Sequence, residues 1–177
     1  MTFLETKLSG VFEIRPEIVR DQRGFFARSW CQEEFNSRGL NSRLVQCNIS
    51  GNLRKGTLRG MHYQSAPFAE AKLVRCTRGS IFDVALDLRQ DQSTFRQWTG
   101  AVLSAANHSM VFIPEGCAHG FLTLEDDSEV FYQMSESYHP ESAGGVRWND
   151  PAFGIEWPGD VKVISDRDAS YADFTGP

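Results

Sequence analysis

The stretch Gly56-Thr-Leu-Arg-Gly-Met-His62-Tyr-Gln64, followed by Lys72 and Gly79, sets an imidazole, an amide and an ammonium on what reads as one hairpin-rich sheet. Period-two alternation puts His62 and Gln64 on one strand face, with Met61 and Tyr63 opposite. Lys72, Val74 and Cys76 share a face in the next run, which closes at the turn residue Gly79.

Working outward, short alternating runs dominate, punctuated by Gly, Asn, Asp and Pro, and they predict an all-β barrel or sandwich. The clearest is Ser80–Leu88, with Phe82, Val84, Leu86 and Leu88 on one face and Ile81, Asp83, Ala85 and Asp87 on the other. Leu73–Thr77, Ser109–Ile113, His119–Leu124 and Glu129–Met134 supply further strands, and Val130, Tyr132 and Met134 share a face of the last. One helix is predicted near Gln32–Arg38, with Glu33 and Glu34 at its start and Gly39 at its end. From Tyr138 onward, Pro140, Pro151, Pro158 and several Gly and Asp predict loops and short turns. No repeat, linker or low-complexity segment interrupts residues 1–177, which read as a single domain.

Composition bounds the function. A chain of 177 residues, 41% hydrophobic and 23% charged, is ordinary for a soluble globular domain. A net charge of -5 without a basic run argues against nucleic acid as partner, though convergent arginines could still hold a small anion. Cys31, Cys47, Cys76 and Cys117 form no CxxC pair, so no zinc or redox motif is expected. No signal peptide or membrane-spanning run is visible, and a cytoplasmic protein with reduced thiols is expected.

The spacing around His62 is similar to the first motif of cupins. Metal-binding cupins carry His, His and Glu there; this chain carries His62, Gln64 and Lys72. An ammonium in the place of a carboxylate repels a divalent cation, so no metal is expected and His62 is released for proton chemistry. His119, in Pro114-Glu-Gly-Cys-Ala-His119-Gly-Phe, matches the second cupin motif. His108 and His139 lie beside turn residues and are expected to be exposed. Taken alone, His62 reads equally as a satisfied structural histidine or as a base. A lysine and a tyrosine among apolar neighbours are poised groups, because burial shifts their proton affinities.

Seven segments extend the pattern: Asp21-x-Arg-Gly-Phe-Phe26, Leu58-Arg-Gly-Met-His-Tyr-Gln64, Ala71-Lys-Leu-Val-Arg75, Asp83-x-x-x-Asp-Leu-Arg89, Ile113-Pro-Glu-Gly-x-Ala-His-Gly-Phe121, Trp148-Asn-Asp-Pro151 and Ser165-Asp-Arg-Asp168. In this order the chain resembles the deoxysugar nucleotide 3,5-epimerases, the dTDP-4-dehydrorhamnose 3,5-epimerase family of the cupin superfamily, almost end to end. The resemblance implies a cupin-type antiparallel β-barrel or jelly roll with a few short helices. It implies epimerisation of a nucleotide-linked 4-keto-6-deoxyhexose without metal or organic cofactor, and a homodimer in which Arg23 is lent to the partner's site.

In that chemistry the hydrogen α to the C4 ketone is removed from one face and a proton returned from the other, with the enolate stabilised between. The resemblance makes His62 the base, Asp168 its orienting carboxylate, Lys72 the charge near the C4 oxyanion and Tyr132 the acid. Arg59 and Arg23 would hold the diphosphate and nucleotide, Tyr138 would stack on the base, and His119 and Arg167 match substrate-contacting positions. Each has a rival reading. Asp168 sits in a turn where aspartate caps backbone groups. Tyr132 could be a core tyrosine bonded to a main-chain carbonyl. Strict alternation puts Arg59 on the face opposite His62, so either the strand bulges or Arg59 reaches a ligand at the barrel mouth or across a subunit boundary.

Two departures bear on the nucleotide. Arg28 stands where the family pattern has Glu, and Gln46-Cys47-Asn48 replaces Gln-Asp-Asn. Near Ala143 and Gly144 no charged substrate contact can be placed. Thymine N3 donates a hydrogen bond and cytosine N3 accepts one, so a guanidinium at Arg28 would favour a CDP-sugar over a dTDP-sugar. Epimerisation at C3 or C5 alone, and a non-catalytic sugar-nucleotide binding module, are the alternatives; a binder needs no acid–base pair.

Overall fold

In the computed structural model, which describes residues 1–176, the alternating runs form strands. The chain runs through β1 (Thr2–Glu5), β2 (Phe12–Arg15), β3 (Ile18–Asp21), β4 (Gly24–Ala27), α1 (Gln32–Asn36), β5 (Gln46–Asn52) and β6 (Leu58–Gln64). It continues through β7 (Lys72–Arg78), β8 (Ser80–Asp87), β9 (Trp98–Ser104), β10 (Met110–Ile113), β11 (Cys117–Thr123), β12 (Ser128–Met134), β13 (Ala143–Gly145) and α2 (Asp166–Ala169). One sheet has the order β1-β2-β10-β7-β12-β5, a second β13-β6-β11-β8-β9, and β3-β4 stand apart as a two-stranded hairpin. This is the expected cupin-type jelly roll.

The two large sheets close on an apolar interior because their inward positions alternate as the sequence does. Val74, Cys76, Val111 and Val130 of the first sheet meet Ile81, Ala85, Leu103 and Phe121 of the second. Burying each such aliphatic side chain contributes about 1.5–3 kcal/mol. A second cluster on the outside of the six-stranded sheet packs Leu73, Met110 and Phe112 against Phe35 of α1. A third covers the other sheet, where Met61, Val84 and Leu86 meet Val146 and Phe153 of the C-terminal segment. That segment's wrapping is what carries α2 back to β6.

The strand runs hold, each within two residues at either end. The helix is shorter than expected: α1 stops at Asn36, and Gly39, at φ +69, closes its C-terminal turn by donating to the Asn36 carbonyl at 3.0 Å. His108 and His139 are half-buried instead of exposed, because Phe25 packs on the first and Phe68 stacks on the second at 3.6 Å.

Candidate active site

A cavity of about 840 Å³ opens between the sheets, and β6 supplies its central residues. In the β6–β11 pairing Arg59 lies opposite Phe121 and His62 opposite His119, so Gly60 and Met61 together face Gly120 alone. That extra residue is a β-bulge, which bends the strand and re-aims side chains. It settles the alternation problem: Arg59 and His62 line the same cavity while Met61 stays in the outer cluster. Gly60 is required there, since its φ is +135 and a Cβ would lie 2.5 Å from the Gly120 Cα.

His62 Nε2 lies 2.7 Å from Asp168 Oδ1. The other carboxylate oxygen of Asp168 accepts the Gly60 N–H at 3.2 Å, and the Ser165 hydroxyl caps α2 by accepting the Asp168 N–H. Burial works against the Asp168 charge, yet the His62 ring and the Gly60 N–H hold its carboxyl below the ordinary value. With Asp168 on Nε2, the neutral imidazole carries its proton there and keeps its basic lone pair on Nδ1. Nδ1 has no hydrogen-bond partner among the described residues, and the His62 side chain is 41% exposed toward the cavity. Asp168 therefore accepts a backbone N–H of the distant strand β6, not one of its own turn, while it holds the His62 ring.

Lys72 enters from β7 and is almost wholly buried. Its Nζ lies 2.7 Å from Glu70 Oε1 and donates to the His62 carbonyl at 3.2 Å. Glu70 Oε2 also accepts the Gln64 N–H at 3.1 Å. The Gln64 side chain is spent on the fold: it donates to the Phe68 and Ser137 carbonyls and accepts the His139 N–H. Among the described residues no three His, Cys, Asp or Glu side chains converge as a metal-binding group requires.

Tyr132 reaches the cavity from β12 in the opposite sheet. Burial pushes its hydroxyl above the ordinary value of 10.0, the Arg59 guanidinium pulling the other way. Its hydroxyl makes no hydrogen bond to a main-chain carbonyl among the described residues, while its ring packs against the apolar interior between the sheets. His119 Nε2 is paired with buried Asp83 Oδ2 at 2.7 Å. At the mouth, Gln46 accepts the Tyr138 N–H and donates to Asn48, Arg59 donates to Asn52, and Arg167 donates to the Tyr171 hydroxyl.

The cavity thus gathers His62, Lys72, Tyr132, Asp168, Gln46, Asn48, Arg59, His119, Tyr138 and Arg167. Arg23 and Arg28 do not line it. Arg23 sits on the β3–β4 hairpin paired with Asp21, and Arg28 pairs with Glu34 of α1. Reasoning from sequence missed Glu70 and Tyr63, which line the cavity, as well as Asp83 and Tyr171 behind its histidines and arginine. Ala143 and Gly144 line it through the short strand β13, with no charged side chain of their own.

Known proteins of one family resemble the chain over nearly its whole length. The family described as dTDP-4-dehydrorhamnose 3,5-epimerase matches over residues 5–175. An enzyme of that name from Methanothermobacter thermautotrophicus is 45% identical over 172 residues, covering 96% of this chain and 92% of its own. The crystal structure of the Elizabethkingia anophelis dTDP-4-dehydrorhamnose 3,5-epimerase is similar with a TM-score of 0.95 at 36% identity, covering 98% of this chain and 96% of that one. A dTDP-6-deoxy-D-glucose-3,5-epimerase from Legionella pneumophila, solved in complex with dTDP-4-keto-L-rhamnose, is similar with a TM-score of 0.90 at 38% identity, covering 96% and 90%.

Proposed function

This chain belongs to the dTDP-4-dehydrorhamnose 3,5-epimerase family, and on that premise we propose that it converts dTDP-4-dehydro-6-deoxy-D-glucose into dTDP-4-dehydro-L-rhamnose by inverting C3 and C5. The observation that carries the reading is the His62–Asp168 pair, set in one cavity with Tyr132 on the facing sheet. His62 Nδ1 removes the hydrogen α to the C4 ketone, and Asp168 stabilises the imidazolium that forms. Lys72 brings positive charge toward the developing C4 oxyanion, tempered by Glu70. Tyr132, kept protonated by burial, returns a proton to the other face. No step calls on a metal or organic cofactor.

At the mouth, Arg59 and Arg167 serve the diphosphate, Tyr138 stacks on the base, and Gln46, Asn48 and His119 contact the substrate. Arg23 and Arg28 act in this reading from a partner subunit. The β3–β4 hairpin stands off both sheets with Val19, Phe25 and Phe26 exposed, which supports a homodimer that exchanges this arm. The four unpaired cysteines support a cytoplasmic, reducing compartment.

Proton NMR in deuterium oxide, with 4-keto-6-deoxyglucose linked to dTDP and to CDP, tests the reaction and the nucleotide together. Exchange at both C3 and C5 of the dTDP-sugar is expected. Exchange at one carbon makes the protein a single-carbon epimerase, and preference for the CDP-sugar transfers the nucleotide assignment. Binding without any exchange reduces the site to a sugar-nucleotide binding module.

A further inference from the structure

Arg167 and Asp168 are neighbours in α2 and both line the cavity, yet Asp168 is buried and Arg167 stands exposed at the mouth. An exposed arginine explores many rotamers, and ordering it on a ligand costs affinity. Here one donor is already engaged, because Nε–H donates to the Tyr171 hydroxyl at 3.1 Å. Fixing Nε leaves the two terminal nitrogens of the planar fork for a bidentate acceptor. Two phenols, Tyr138 first and then Tyr171, hold the guanidinium above the ordinary arginine value.

The two tyrosines differ in what supports them. Tyr138 follows β12, is 51% exposed and lines the cavity. Tyr171 is half-buried and is not among the residues that line the cavity. Its ring rests on β13 at Gly145, the residue paired with His62, and a Cβ at that glycine would run into the ring. The same ring meets His62 edge-on, with centroids 6.4 Å apart. Tyr171 is thus wedged between β13 and α2, and its hydroxyl is a fixed acceptor beneath a side chain that is otherwise free in solvent.

We propose that Tyr171 is a positioning residue that presents Arg167 to the diphosphate of the substrate. The inference rests on the reading above, in which Arg167 serves that diphosphate. Tyr171 supplies no contact of its own to the ligand; it sets the rotamer of the arginine before the ligand arrives. The diphosphate lies away from C3 and C5 and is held alike before and during proton transfer, so this arginine contributes uniform binding. Loss of its support should therefore weaken binding and spare the chemistry.

Tyr171→Phe removes the hydroxyl and keeps the ring on Gly145. The variant is compared with wild type, Arg167→Ala and the double variant by steady-state kinetics on dTDP-4-keto-6-deoxyglucose and by calorimetric titration with dTDP. Tyr171→Phe should melt like wild type, raise KM and the Kd for dTDP by about three- to tenfold, and keep kcat within about twofold. Arg167→Ala should raise the Kd for dTDP at least as much, and adding Tyr171→Phe to it should change the Kd by less than about twofold. Additive losses in the double variant overturn the proposal, because Tyr171 then acts without Arg167. An unchanged Kd in Tyr171→Phe overturns it as well, as does a fall in kcat at constant KM, which places Tyr171 behind His62 instead. An unchanged Kd in Arg167→Ala overturns the diphosphate role of Arg167 and the proposal with it. Absence of exchange by the wild-type protein overturns the epimerase reading alone, since the titrations with dTDP read binding without turnover.

Discussion

Asp168 ties the two halves of the β6 bulge together: Oδ1 lies 2.7 Å from His62 Nε2 and Oδ2 accepts the Gly60 N–H at 3.2 Å. One carboxylate thus fixes both the ring of the base and the backbone kink that brings Arg59 to the same cavity. The contact spans more than a hundred residues of sequence and depends on the C-terminal segment being anchored by its apolar cluster on the second sheet. Function at His62 is therefore linked to packing far from it.

Asp168→Asn should lower turnover by about 10²–10⁴-fold while the protein stays folded, because the imidazolium loses its counter-charge. It should also change acid stability in a defined direction. The folded carboxyl titrates below the ordinary 3.8, so its stabilisation is present above pH 3.8 and is lost as the pH falls through the lower folded value. Melting temperatures of wild type and variant should differ at neutral pH and converge in that acid window. A gap that stays constant down to the most acidic folded state contradicts the linkage.

His62→Ala should abolish solvent exchange at C3 and at C5 alike, since a single imidazole serves both deprotonations. Deuterium incorporation followed by NMR checks it. Near wild-type exchange at either carbon takes the base role away from His62.

The Glu70–Lys72 pair predicts a separation of stability from activity. Glu70→Ala leaves a buried ammonium unpaired and the Gln64 N–H without its acceptor, and should destabilise by about 3–5 kcal/mol. The double variant Glu70→Leu, Lys72→Met removes both charges and should recover most of that loss in urea titrations. It should remain inactive, because the charge near the C4 oxyanion is gone. An active double variant would move Lys72 from the chemistry to the scaffold.

Legibility in the sequence followed burial. The strands β7, β8, β10, β11 and β12 carry an apolar inward face, and their alternation is plain in Val74 and Cys76 or Ile81 and Ala85. β5 hid because its inward positions, Gln46, Asn48 and Ser50, line a polar cavity and present no apolar stripe. α2 is four residues long, too short for a helical period, and only its Ser165 cap marks it. The catalytic candidates were legible as motif residues, but their partners were not uniformly so. Asp83 stands in the alternating run Ser80–Leu88 with no mark of its pairing to His119, and nothing in the order Glu70-Ala-Lys72 announces a buried ion pair. Strict alternation set Arg59 on the face opposite His62, and only the Gly60–Met61 bulge brings the two to one cavity.

Tyr132→Phe should uncouple exchange from inversion. Tyr132 and His62 come from facing sheets and line one cavity, so a sugar between them meets the base on one side and the phenol on the other. Burial raises the phenol above its ordinary value of 10.0, which keeps it protonated through neutral pH and makes its acid form available until the solution is strongly alkaline. Without the hydroxyl, His62 still removes the α hydrogen and returns a proton to the same face. Deuterium should therefore enter the sugar with its configuration retained, while epimerised product falls by about 10²-fold or more. Equal loss of exchange and inversion assigns Tyr132 to enolate stabilisation, and an unchanged epimerisation rate assigns the acid role to another group.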